Sequence, residues 1–307
     1  MRKWMSFLMT FLVGASSYAN ANVSTVALEF SYRQDNIHLT NHLTENFETR
    51  QNFRDLDIFQ IGAKGKFNLC YNLYLRASGS WGWVLDGRFD NKFLAELSGS
   101  DGSLDFTRTV KNVADDRYVF DGTVALGYPF YFCDCTVSFA PTVGYSFDEQ
   151  NLRVDVCNTE SSSGSNFAFQ DNCCKHKFIN RWFGPFIGVD LEYRPYNESW
   201  NLYAELEFHW ARYKGRRQDG FIADGFHEVH SRHGHGVVFN IGAEYDFCNE
   251  WTTGLAVKFT DFRAHRNKHH FSSGSESESD FSGGFDHNGV KAKWRSYAVT
   301  ASVGRAF

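Results

Sequence analysis

Residues 200–210 read WNLYAELEFHW, and the spacing inside this stretch decides the fold. Trp200, Leu202, Ala204, Leu206, Phe208 and Trp210 take the even positions, and Asn201, Tyr203, Glu205, Glu207 and His209 take the odd ones. A period of two is the mark of a β-strand whose two faces meet different surroundings. Here the apolar face begins and ends on tryptophan, while the other face carries carboxylates at its middle. A soluble sandwich also alternates, but with shorter strands and its polar face outward. A strand in a bilayer presents its apolar row to lipid, ends it on aromatic rings at the interfaces, and turns its polar residues inward.

The pattern recurs along the chain. Rows start near Ser24, Leu56, Leu73, Tyr118, Val137, Phe183, Trp200, Val237, Trp251 and Tyr297, which makes ten. Strands in hydrocarbon cannot leave an edge unpaired, so they must close. The fold expected is all-β: a transmembrane antiparallel β-barrel of ten strands, with eight or twelve as neighbouring counts. Connections alternate in length. Short ones fall near 68–72, 133–135, 195–199 and 248–250. Long ones fall near 34–54, 86–116, 148–177, 214–234 and 265–291. Short periplasmic turns and long extracellular loops are the outer-membrane arrangement. The last row ends on Phe307, read here as the assembly signal carried by the closing strand.

Residues 1–21 have the form of a secretory signal peptide: Arg2 and Lys3, an apolar run to Val13, and small residues around Ala19–Asn20–Ala21. The barrel domain is then 22–307. No later apolar run approaches the roughly 20 residues of a spanning helix. The formal charge is −5 and the basic residues are scattered, so no nucleic-acid footprint is present. The expected location is the outer membrane, and no cofactor is expected.

By alternation the polar positions face the barrel interior. Candidate lumen-lining residues are Glu29, Lys64, Lys66, Arg76, Asp121, Asp190, Glu192, Glu205, Glu207, Glu244, Asp246 and Lys258. A channel needs such a lining, but about eight strands enclose only enough room for side chains and about 16 leave an aqueous pore. Ten strands lie near the filled end.

Seven cysteines add an unusual feature. Cys70, Cys133, Cys135 and Cys248 fall at short turns; Cys157, Cys173 and Cys174 fall in the third long connection. An exported chain meets an oxidising compartment, so all are candidate disulfide residues, either as local staples or as bonds to another chain. The odd number leaves at least one thiol free or intermolecular. The histidines of HEVHSRHGH (227–235) and of HRNKHH (265–270) invite a metal reading. The HExxH pattern, however, requires histidine where Ser231 stands, so no metal site is assigned. Residues 272–284, SSGSESESDFSGG, read as a solvated low-complexity loop tip.

The signal sequence, the alternating strands, the turn and loop cysteines and the terminal SVGRAF together resemble the porin-type outer membrane proteins of the environmental chlamydiae, the Protochlamydia outer membrane proteins. That resemblance spans the mature chain. It implies a major envelope protein, expected to be a porin for small hydrophilic solutes. It also implies disulfide links to other cysteine-containing envelope proteins. The expected partners are outer-membrane lipid and the barrel-assembly machinery. The alternative is a non-conducting structural or adhesive envelope protein. The hairpin from Val237 to Phe259 and the closing strand are also similar to the omptin proteases. Their catalysis pairs Asp-x-Asp in the second long loop with Asp-x-His in the fourth. This chain has Asp86–Gly87–Arg88, with Asp90 out of register, and Asp224–Gly225–Phe226–His227 is one residue too long. No catalytic residue is assigned, and the chain is expected not to be an enzyme.

Overall fold

A computed structural model describes residues 24–44, 47–69, 72–96, 103–110, 117–133, 136–156, 174–195, 198–218, 226–231, 233–247, 250–265, 268–272 and 291–307. The segment read as a signal peptide lies outside them. Ten antiparallel strands form the wall. They are β1 (Thr25–Thr44), β2 (Phe47–Asn68) and β3 (Tyr74–Glu96). β4 runs in three pieces, Ser103–Val110, Tyr118–Gly127 and Phe130–Phe132. β5 is Val137–Val156 and β6 is Cys174–Tyr193. β7 joins Trp200–His209 to Arg212–Gln218, and β8 joins Phe226–Ser231 to His233–Phe247. β9 joins Trp251–His265 to Lys268–Ser272, and β10 is Lys291–Ala306.

Each strand pairs with its sequence neighbour, and β10 closes on β1 from Thr25↔Ala306 to Thr40↔Lys291. The seam is locked at its lower end. Ser24 N–H donates to Phe307 O at 3.0 Å, and Phe307 N–H donates to Ser24 O at 2.9 Å. The Phe307 ring lies 6.5 Å from that of Phe67.

The outer face carries the apolar rows expected from the alternation. Leu28, Val143, Leu255, Val257 and Val299 are each more than half exposed. In water such a surface is a liability; in a bilayer it is the lipid contact. Tyr245, Phe247, Trp251 and Phe307 bound it on the short-turn side, and Tyr32, Phe59, Trp83, Trp210 and Tyr297 on the other.

The strands run further than the sequence spacing suggests. Most of residues 34–54 is wall rather than connection, because β1 continues to Thr44 and β2 begins at Phe47. The same holds for β3, β5 and β6. The physical reason is a change of solvent. Above the upper girdle the outer face meets water, so the outward apolar row stops, and apolar residues occupy the inner face instead: Ile37, Phe53, Leu152, Val154 and Phe178 are all buried. In β2 a bulge at Asp55, with φ 51°, also shifts the inward parity from even residues (Leu56, Ile58, Gln60) to odd ones (Gln51, Phe53).

Candidate functional site: the barrel interior

The interior is layered along the barrel axis. Nearest the short turns lies a cavity of about 380 Å³ whose lining includes Lys66, Tyr74, Asp190, Glu192, Tyr203 and Glu244. Alternation puts these side chains there because every second residue of a closed sheet must point inward. Lys66 pairs with Glu192 at 3.0 Å. The Tyr74 hydroxyl donates to Asp190 at 2.6 Å. Asn201 spans Glu192 (2.9 Å) and Glu244 (3.4 Å).

Above it the charges knit across the lumen. Lys64 pairs with Glu205 at 2.7 Å, and its ammonium sits 4.7 Å from the Tyr203 ring. Arg76 is the hub. It reaches Asp190 at 3.1 Å, Glu205 at 2.9 Å and also Glu207, with a side chain only 5% exposed. Charges this far out of water persist only when paired and hydrogen-bonded. A smaller cavity of about 100 Å³ follows, lined among others by Glu29, Lys258, Asp121 and Asp148.

Arg33 closes this polar zone. Its guanidinium grips Asp35 through two bonds, 2.7 and 2.5 Å, and reaches Asp121 at 2.5 Å. Gln60 donates to the same Asp121 at 2.8 Å. The Arg33 guanidinium lies 5.1 Å from the centre of the Trp294 ring, and that ring begins the next layer.

The top layer is dominated by aromatic rings, with Gln51, Asn91 and Asn180 buried at the same height. Trp294, Phe262 and Trp182 stack in sequence at 5.3 and 5.6 Å, and Trp182 meets Tyr213 at 4.7 Å. Phe53, Phe89 and Phe178 form a second group with centroids 4.7–5.4 Å apart. Each of these seven rings is at most 3% exposed. Gly236 makes the stack possible: a Cβ there would stand 1.8 Å from the Phe262 ring. Aromatic rings at these distances gain offset or edge-to-face attraction in addition to burial.

Of the candidate lumen residues, eleven line these two cavities, and the structure joins Lys64, Arg76, Asp190, Glu205 and Glu207 into one network. Asp246 instead stands exposed at the short-turn rim, where its N–H donates to Ser199 O at 2.6 Å. Sequence reasoning missed Arg33, Asp35, Asp148 and Gln150. The signal that could have found them is strand parity carried on past the last outward apolar residue.

Ser146, His209 and Glu207 form a chain of their own. Ser146 Oγ is 3.0 Å from His209 Nδ1, and His209 Nε2 is 2.9 Å from Glu207. The order resembles a hydrolase triad. However, the imidazole is 1% exposed and packed against Phe186 and Phe262, so the arrangement fixes packing and offers no substrate access.

Asp86, the first residue of the stretch compared with the omptin pattern, accepts from Gly87 N–H at 2.7 Å, and Asp224 is outside the described residues. Among the described residues no group of His, Cys, Asp and Glu is placed to hold a metal ion. His235 and His265 lie 6.2 Å apart. Cys133 is exposed, free and at φ 52° in a short turn. Cys174 begins β6, and Cys70, Cys135, Cys157, Cys173 and Cys248 are outside the described residues.

Residues 27–307 match the family model described as Protochlamydia outer membrane protein. No curated protein matches the chain. Among solved structures, the outer membrane protease OmpT from Escherichia coli shares 11% identity over 96% of this chain and 100% of its own, with a TM-score of 0.65. The translocator domain of the autotransporter NalP from Neisseria meningitidis shares 12% identity over 100% of this chain and 95% of its own, with a TM-score of 0.36. A FadL homologue from Pseudomonas aeruginosa shares 9% over 93% and 90%, with a TM-score of 0.28. The first of these likenesses supports the ten-strand barrel alone.

Proposed function

The chain belongs to the Protochlamydia outer membrane protein family, and from that premise and its filled lumen we propose that it is an envelope protein whose barrel is closed to passive diffusion at rest. The observation that carries this reading is the aromatic layer. Trp294, Phe262, Trp182 and Tyr213 cross the interior above the Arg33–Asp121 pair, and none is more than 3% exposed. A solute entering the cavity near the short turns meets first an ion-pair network and then a buried aromatic stack. Breaching the network would leave buried charges unpaired, which costs about 3–5 kcal/mol per broken pair.

The expected role is structural: a stable wall unit that holds its extracellular extensions above the membrane. The turn cysteines fit this role as links to neighbouring envelope proteins, and the exposed free thiol of Cys133 supports it. The reading assigns no catalysis. Asp86 is engaged by its own turn, and arginine replaces the second aspartate of the protease pattern.

Planar-bilayer recording of the refolded chain from residue 22 tests the proposal. A folded barrel that inserts and stays silent supports it. Stepwise openings of the unmodified protein would instead establish the porin expected from the family resemblance.

A further inference from the structure

The charged side chains that line the cavity nearest the short turns are matched with one another, except for one carboxylate. Lys64 holds Glu205, Lys66 and Arg194 hold Glu192 at 3.0 and 3.3 Å, and Arg76 holds Asp190. Glu244 is the exception. Among the described residues its hydrogen-bond partner is the Asn201 amide, at a long 3.4 Å. Lys64 and Lys66 act on it from further off, and both are committed to other acids. A carboxylate in such a position calls for donors from outside the wall.

Asn201 on β7 stands directly opposite Glu244 on β8 and is 2% exposed. Its amide nitrogen donates to Glu192 at 2.9 Å as well as to Glu244, which uses both N–H groups. Ionised carboxylates accept and do not donate, so the amide cannot turn over without setting its oxygen against one of them. Oδ1 is thereby fixed as an acceptor, and among the described residues no donor reaches it. A buried acceptor without a donor is costly. Asn201 and Glu244 both line the cavity, so a donor arriving there meets two acceptors side by side.

The space beside them comes from small inward residues. Ala27 and Ala140 line the cavity. Gly242 lets the Tyr203 ring lie over β8: a Cβ there would stand 2.6 Å from the Tyr203 hydroxyl. That hydroxyl is therefore held over the inward position next to Glu244, where it is a third acceptor. The volume of about 380 Å³ falls within the range of about 300–1,000 Å³ usual for small-molecule sites. The mouth is at the short turns, where Tyr131 and Arg194 of the lining are half exposed.

We infer that this cavity is a binding site for the primary ammonium group of a small alkylamine entering from the periplasm, with the ammonium set among Glu244, Asn201 Oδ1 and the Tyr203 hydroxyl. An ammonium brings one positive charge and three donors. The corner offers one unmatched carboxylate and two neutral acceptors, and charge-assisted bonds of this kind are the strong ones. A neutral polyol would supply donors but leave Glu244 without a counter-charge, and an anion would be repelled by it. Binding needs only the short-turn mouth, so it is independent of whether the lumen above conducts.

The test is ligand-observed NMR on the refolded barrel, residues 22–307, in detergent micelles, with n-butylammonium as the probe. The unmodified protein should give a saturable titration. Tetramethylammonium has the charge without an N–H, and n-butanol has a donor without the charge; each should bind about tenfold more weakly or worse. Glu244→Gln keeps the shape, removes the charge and should weaken n-butylammonium binding about tenfold or more. Asp246→Asn removes a carboxylate from the same rim outside the cavity and should leave binding unchanged. Heat-modifiable gel migration verifies folding, and Tyr203→Phe, which removes only a hydroxyl, serves as a milder variant with a smaller loss. The inference is overturned if n-butylammonium shows no saturable binding, which would leave the cavity to water, or if Glu244→Gln binds as the parent does. It is equally overturned if Asp246→Asn loses as much, or if either control ligand matches n-butylammonium.

Discussion

At the scale of single residues, function in this barrel rests on what the interior can tolerate. Arg76 neutralises Asp190, Glu205 and Glu207 together. Arg76→Ala would leave buried carboxylates without their cation and should destabilise the barrel by about 3–5 kcal/mol, read as a lowered urea midpoint for unfolding in detergent. Arg76→Lys should recover part of that loss, because one ammonium cannot serve all three acids. Gly236→Ala should disturb the stack, since its new methyl meets the Phe262 ring. Tryptophan fluorescence of the folded protein would record a wetter environment for Trp182 and Trp294. Above the membrane, Asp261 offers a pH-dependent contact. Partial burial raises its pKa, but hydrogen bonds from Arg263 and Arg295 outweigh that and hold the carboxyl below its ordinary value. A lowered folded pKa gives stability that is present above the unfolded value of about 3.9 and fades as the pH falls through the folded one. Asp261→Asn should therefore lower thermal stability modestly at neutral pH and flatten the acid limb below about pH 4, so that the two profiles converge in acid.

At the scale of the strand, the alternation in the lipid band was legible and the rest of the wall was not. Glu205 and Glu207 could be placed inside from WNLYAELEFHW alone, because lipid on one side and polar lumen on the other write their contrast into successive residues. Trp182 and Phe178 could not. They lie where water bathes the outer face and apolar packing fills the inner one, so the contrast reverses, and the stretch between the third long connection and the row from Phe183 carries no outward apolar row to mark it. The bulge at Asp55 adds a parity slip that spacing cannot reveal. Arg33 and Asp35 were hidden for a related reason: they stand where the outward row of β1 ends. The band itself supports a prediction. Leu255→Arg places a charge on the lipid-facing row, where Leu255 is 65% exposed, and should cost about 2–4 kcal/mol of stability in bilayers. Lys293→Ala, above the girdle on β10, should cost little by comparison in the same equilibrium unfolding assay.

For the whole molecule, closure at the seam and closure across the lumen are separate properties with separate tests. The paired bonds of Ser24 and Phe307 fasten the ring. Shortening the chain by Phe307 should slow insertion into vesicles, measured as the rate at which the heat-modifiable form appears. On the reading proposed above, the aromatic layer closes the interior. Trp182→Ala together with Trp294→Ala should raise single-channel conductance from silence to resolvable steps, at a stability cost of about 3–5 kcal/mol per ring removed. A double variant that folds and remains silent would show that another layer also blocks the path.

The wall is also tall. β2 alone has 22 residues, which at about 3.3 Å per residue and a tilt near 40° gives a rise of roughly 55 Å, against an apolar band of about 25 Å. Roughly half of the cylinder therefore projects into the medium as a rigid turret. Its outward side chains there answer to neither lipid nor lumen. Substitutions can accumulate on that rampart with little penalty for insertion or closure, so the surface shown to antibodies, phage or neighbouring cells can drift while the machine beneath it stays the same.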